Sequence, residues 1–191
     1  MNGPNYFRSA ELVDRRRSLL LLVDMQEKLL PLIPVAEKTT RNCRKLLEGA
    51  GLFEVPISAT EQYKKGLGPT TEPLRSLLGN VPDKLRFSCA EVLEWPAAHG
   101  RDDGRTQVVI CGIEAHVCVM QTALDLVSQG YQVFVVADAV ASRGKLDWEI
   151  ALRRLSDSGV TLITTESVLF EWCECSSDPQ FKALSALVKQ N

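Results

Sequence analysis

The chain has 191 residues, 45% of them hydrophobic and 24% charged, and its 22 basic and 24 acidic side chains give a formal charge of −2. This is ordinary globular chemistry: it excludes a disordered chain and offers no basic excess for holding nucleic acid through counterion release. A chain this long buries roughly 70% of its unfolded surface, so it needs no disulfide or metal staple to fold.

In chain order, residues 1–17 read as a polar leader, frayed or loosely packed on the surface. Arg15-Arg16-Arg17 leads into the apolar run Leu19–Val23, which stops at Asp24. That run is shorter than the roughly 7–15 residues of a signal-peptide core. No apolar run approaches the ~20 residues that span a bilayer. A cytoplasmic protein with neither a membrane nor a nucleic-acid partner is the expectation, and residues 18–191 are expected to form one domain.

Five short apolar runs do not alternate with polar residues: Leu19–Val23, Val55–Ile57, Val108–Ile110, Val133–Val136 and Val160–Ile163. They predict strands covered on both faces, as in a parallel sheet. Helical spacing marks Val35 to Leu47, closed by Gly49 and Gly51. It recurs at Val117, Met120, Leu124 and Val127, stopping at Gly130, and at Ile150, Leu152 and Leu155, ending near Gly159. Residues 62–82 are rich in Gly, Pro and Thr and read as a loop with a short helix. Strand and helix in alternation predict an α/β fold with helices on both faces of the sheet.

Open sheets of this kind place ligands beyond the carboxyl ends of their strands. That rule selects Asp24, Thr60-Glu61-Gln62, the segment from Gly112 to Cys118, and Asp138. Asp24 ends a run of hydrocarbon, where it serves either as a general base with a pKa raised by desolvation or as a turn carboxylate. Cys118 opens a helix, whose free N–H groups favour a thiolate and can hold an oxyanion. The other reading of Cys118 is a small apolar side chain packing the helix start. Lys84 on its own is one lysine among many, and His99 sits in a polar loop. His116 is two residues before Cys118, poor geometry for its base. The two histidines form no metal pattern. Cys173-Glu174-Cys175 is too tight for a redox Cys-x-x-Cys, and neither Gly-x-Gly-x-x-Gly nor a P-loop is present.

Three segments then combine. Leu21-Leu22-Val23-Asp24-Met25-Gln26 resembles the Asp-x-Gln element of the isochorismatase-like hydrolase family. Lys84-Leu85-Arg86-Phe87-Ser88 is similar to its Lys-x-x-Phe-Ser, and Gly112 to Ala123 is similar to its nucleophile segment. The resemblance covers Ser18 to Phe170. It extends to the subgroup of isochorismatase-domain-containing proteins through Thr60-Glu61-Gln62-Tyr63, Ala137 to Arg143 and Asp178 to Lys182.

The resemblance implies a three-layer αβα fold around a mainly parallel six-stranded sheet of order 3-2-1-4-5-6. It implies a catalytic triad of Asp24, Lys84 and Cys118, with Asp24 and Lys84 together favouring the thiolate at neutral pH. The sulfur would attack an amide-like carbonyl of a small molecule, giving a thioester that water hydrolyses. A cis bond at Ile113-Glu114 would aim the N–H groups of Glu114 and Cys118 into one oxyanion hole. No metal is implied, because the segment Thr60 to Thr70 lacks the histidines of metal-bearing relatives, and no cofactor is implied. Gln26, Glu61, Gln62 and His116 are expected to line the substrate pocket, and a homo-oligomer is expected. Two other readings use the same residues. One is an oligomeric scaffold with a relic triad, and the other a peroxide-sensing thiol with Cys111 or Cys89 as resolving partner.

Overall fold

A computed structural model describes residues 7–190. Six strands alternate with helices: β1 (Ser18–Val23), α1 (Ala36–Leu52), β2 (Ile57–Gln62), α2 (Lys64–Leu67), β3 (Asp83–Lys84), α3 (Ala90–Leu93) and β4 (Gln107–Ile113). After a π-helical turn over Ala115–Val119 come α4 (Met120–Ser128), β5 (Gln132–Ala141), α5 (Lys145–Asp157), β6 (Thr161–Ile163), α6 (Thr165–Cys173) and α7 (Phe181–Val188). The sheet has the order β3-β2-β1-β4-β5-β6, and every pairing is parallel.

The uninterrupted apolar runs follow from two cores, one on each face. Leu20 and Leu22 of β1 join Val109 and Cys111 of β4 and Phe134 and Val136 of β5 beneath α1, α6 and α7. Their alternates Leu19, Leu21, Val108, Ile110, Val133 and Val135 face α4 and α5. With both faces covered, alternation with polar residues has no place along these strands.

Several expected boundaries shift. β2 begins at Ile57, where the apolar run ends, and continues through polar residues to Gln62. Val55 instead turns into the core, and Pro56 contributes only its carbonyl, which accepts the Leu20 N–H at 2.9 Å. α1 does not close at Gly49 or Gly51. A Cβ on Gly49 would lie 2.1 Å from Leu169 Cδ2, so this glycine allows α6 to approach rather than ending the helix. β6 is an edge strand, with Thr161 and Leu162 exposed instead of covered on both faces.

The expectation of a loosely packed leader fails for its described part, residues 7–17; residues 1–6 lie outside the described residues. Val13 is fully buried, and its N–H donates to Glu171 Oε2 at 2.6 Å. Arg8 donates to the Glu171 carbonyl at 2.6 Å, the Asp14 N–H donates to Gln107 Oε1 at 2.7 Å, and Arg15 pairs with Asp178 at 2.8 Å. Polar side chains here tie the segment down rather than solvating it.

Candidate active site

At the carboxyl end of the sheet the chain turns sharply out of β1 at Asp24, which takes a left-handed φ of 49° and is fully buried. On the adjacent strand β4, Gly112, at φ 118°, pairs with Val23, the residue before Asp24, and a Cβ there would fall 2.1 Å from the Val23 carbonyl oxygen. Only glycine lets β4 pass this close to the strand that carries Asp24.

Both carboxylate oxygens of Asp24 are held. Oδ1 accepts the Thr60 hydroxyl at 2.8 Å, and Oδ2 accepts Lys84 Nζ at 2.8 Å. Lys84 comes from β3, whose register sets it beside Gln62 of β2. Its ammonium also donates to Gln62 Oε1 at 2.7 Å and the Phe87 carbonyl at 2.9 Å, with the Arg86 carbonyl at 3.3 Å. Burial, the largest single influence, pulls the Lys84 pKa down, but the charge and hydrogen bond of Asp24 together with the neighbouring Cys89 and Cys118 outweigh it, and the net direction is upward. The pair therefore keeps its cation.

Cys118 lies in the π-helical turn and is 7% exposed. Burial pushes its thiol well above the ordinary value; the Asp24 charge acts in the same direction, and Lys84 opposes both. This direction runs against the expectation that Asp24 and Lys84 together favour the thiolate: desolvation and the carboxylate's charge outweigh the pull of the ammonium. The peptide bond before the turn, Ile113–Glu114, is cis.

Three residues complete this cluster that sequence reasoning did not assign to it as supports. Thr60 has one hydroxyl proton and gives it to Asp24, so the contact of 3.2 Å between Cys89 Sγ and Thr60 Oγ1 has the thiol as donor. A relay of donors, Cys89 to Thr60 to Asp24, results. Burial and the Asp24 charge raise the Cys89 thiol to about 11. Thr122 donates to the Cys118 carbonyl at 2.6 Å and accepts the Cys89 N–H at 2.9 Å, tying the two cysteine backbones together. The sequence signals were the place of Thr60 just past an expected strand, the reading of Cys89 as a resolving partner, and the helical spacing of Thr122 from Cys118.

The residues expected around the substrate separate into two groups. Gln26 is buried, with Nε2 donating to the Gln62 and Gly68 carbonyls and Oε1 accepting the Gln62 N–H at 2.7 Å. Glu61 is buried: Oε1 accepts the Thr70 N–H and hydroxyl, while Lys64 Nζ lies 2.8 Å from Oε2 in an ion pair without hydrogen-bond alignment. Burial raises the Glu61 pKa, yet Lys64 and Thr70 together bring it below the usual carboxylate value. Gln62 holds Lys84 through Oε1 and the Leu85 carbonyl through Nε2 at 2.9 Å. Gln62 thus braces Lys84 and the segment after it, while Gln26 and Glu61 fasten the stretch from Gln62 to Thr70, with the polar atoms of all three engaged inside the protein. His116 alone is partly exposed, its Nδ1 2.9 Å from Ser142 Oγ. Beside the braced loop, Leu85 is 75% and Phe87 52% exposed. Among the described residues, no group of three or more His, Cys, Asp or Glu is arranged to hold a metal ion.

The arrangement sets a buried thiol and a buried carboxylate that influences it beside a fixed cation, groups of the kind that nucleophilic catalysis uses. Comparison with known proteins agrees with the topology. The YcaC gene product of Escherichia coli, described as an octameric hydrolase of unknown specificity, superposes with a TM-score of 0.78 at 25% identity, over 95% of this chain and 91% of that one. MAR1 ribonuclease from Caenorhabditis elegans gives a TM-score of 0.85 at 34% identity, over 94% and 93%. Isochorismatase domain-containing protein 2A of Mus musculus is 40% identical over 176 residues, 91% of this chain and 83% of its own. The Isochorismatase domain matches residues 18–167, and with these likenesses the chain belongs to the isochorismatase family.

Proposed function

We propose that this protein is a cysteine hydrolase acting on an amide-like C–N bond of a small molecule, with Cys118 as nucleophile, Asp24 as base and Lys84 as its fixed counter-charge. The observation that carries the reading is the Asp24 carboxylate, fully buried, bonded to Lys84 and Thr60 and acting on the Cys118 thiol. Since the thiol rests protonated, deprotonation accompanies attack: Asp24 takes the proton as sulfur adds to the carbonyl carbon and the π electrons move to oxygen. The N–H groups of Glu114 and Cys118 are assigned to that oxyanion. Collapse breaks the C–N bond, the amine leaves with the proton from Asp24, and a thioester remains. Asp24 then deprotonates water, which attacks the thioester and releases a carboxylic acid and the free thiol.

This reading includes a small-molecule substrate, a homo-oligomeric assembly such as that named for the Escherichia coli relative, and a cytoplasmic setting. No described helix is long and apolar enough to cross a membrane. A peroxide-sensing role draws less support, because sensing thiols react as thiolates and burial and the Asp24 charge push the Cys118 pKa up.

The test is turnover of a panel of small amides, ureas and carbamates, with an RNA oligomer included because the Caenorhabditis relative is named a ribonuclease. Hydroxylamine trapping and mass spectrometry would follow the acyl group on Cys118. Turnover with a trapped thioester, abolished in Cys118→Ala, is the expected result. Cleavage that survives Cys118→Ala would falsify the mechanism.

A further inference from the structure

Two strands along the sheet from Asp24, the carboxyl end of β5 opens into a separate cavity of about 520 Å³ between α1 and α5. Its volume falls within the range of small-molecule sites, and its walls have the mixture such sites use, mostly apolar with a few charged groups. Val35, Ala137 and Val140 supply aliphatic surface, and Trp148 an aromatic wall. The Trp148 indole N–H is spent on the Val140 carbonyl at 3.1 Å, so its ring offers hydrocarbon alone.

The charges are one-sided. The lining carboxylate, Asp138, is occupied within the fold: Oδ1 accepts the Thr165 N–H at 2.8 Å and its hydroxyl at 3.0 Å, and Oδ2 accepts Asn42 Nδ2 at 3.2 Å. Against it stand three cations, Lys38, Lys145 and Arg143. Lys38 is exposed and has no ion pair among the described residues. Lys145 meets Glu149 only at 3.5 Å, with its side chain 86% exposed, a pairing that contributes little. Arg143 reaches Glu114 at 3.1 Å and remains 59% exposed, so N–H donors are left for an incoming acceptor.

We propose that this cavity binds a small apolar carboxylate, its hydrocarbon body against Trp148 and Val140 and its charge among Lys38, Arg143 and Lys145. The site is distinct from the thiol and does not depend on the reaction there. It touches the nucleophile turn through two contacts, Ser142 with His116 and Arg143 with Glu114.

The test is calorimetric titration of the full chain with 2-naphthoate, with uncharged 2-naphthalenemethanol as control and ¹⁵N spectra recorded in parallel. The expected result is saturable binding of 2-naphthoate, at least about tenfold weaker for the alcohol and for Lys38→Glu/Lys145→Glu. The Trp148 indole signal should shift while that of Trp172, which is buried against Ser18, stays in place. Binding to Cys118→Ala should equal that to the parent chain. Loss of binding in Cys118→Ala would move the ligand to the catalytic site and overturn the proposal. So would equal affinity for acid and alcohol, indifference to the double charge reversal, or no saturable binding because a second copy covers this face.

Discussion

Lys84 and Asp24, 60 positions apart, meet at 2.8 Å with side chains only 1% and 0% exposed. Neither could remain charged there alone. Lys84→Met leaves the carboxylate without its counter-charge and should cost about 3–5 kcal/mol in urea unfolding. Combining it with Asp24→Asn removes both charges and should restore part of that loss. A single-variant loss below about 1 kcal/mol would mean that water screens the pair.

The raised Cys118 thiol gives a pH signature with a definite sign. Alkylation by iodoacetamide should be slow at neutral pH and still be accelerating at pH 9, since the reactive thiolate is scarce. Asp24→Asn removes a negative neighbour, lowers the Cys118 pKa and should speed labelling at pH 8; Lys84→Met should slow it. Peptide-resolved mass spectrometry is needed, because exposed Cys175, its pKa lowered by the Ser177 hydroxyl, will be labelled first. The opposite ordering of the two variants would place the charges wrongly in the account above.

Thr60 contributes through a single hydroxyl. Thr60→Val deprives Asp24 Oδ1 of its donor and leaves the Cys89 thiol facing a methyl group. Stability should fall by about 1–3 kcal/mol, and turnover on a working substrate by about tenfold. If Thr60→Ser fails to recover the activity of Thr60→Val, the hydroxyl is not the operative group.

Gln62 distinguishes bracing from binding. Gln62→Leu withdraws an acceptor from Lys84 and a donor from the Leu85 carbonyl, so kcat should drop about tenfold with KM nearly constant. A rise in KM at constant kcat would return Gln62 to the substrate pocket.

Much of this architecture can be read from hydropathy, because strands buried on both faces leave unbroken apolar runs at β1, β4 and β5. β2 escapes that logic. Its last residues, Thr60, Glu61 and Gln62, are polar yet buried, since their partners Asp24, Thr70 and Lys84 arrive from distant segments. A pattern of neighbours along the chain cannot show partners that only folding supplies. The same holds for the leader, where Leu12-Val13 is a short apolar pair in a polar stretch until Glu171 and the core close around Val13. Motif resemblance singled out Asp24, Lys84 and Cys118. It could not show that the carboxylate, acting with burial, pushes the thiol pKa up, because that depends on how the two opposing charges and the desolvation balance in space.

The strands at the two margins of the sheet are its shortest, two residues in β3 and three in β6. An open margin presents unpaired N–H and C=O groups on which another chain can build, and brevity is one way proteins withhold that template. The terminal strands themselves offer too few such groups for a foreign strand to gain a register on them. An assembly of copies of this chain, as proposed above, would then draw on packed side chains of helices and loops rather than on an extension of the sheet.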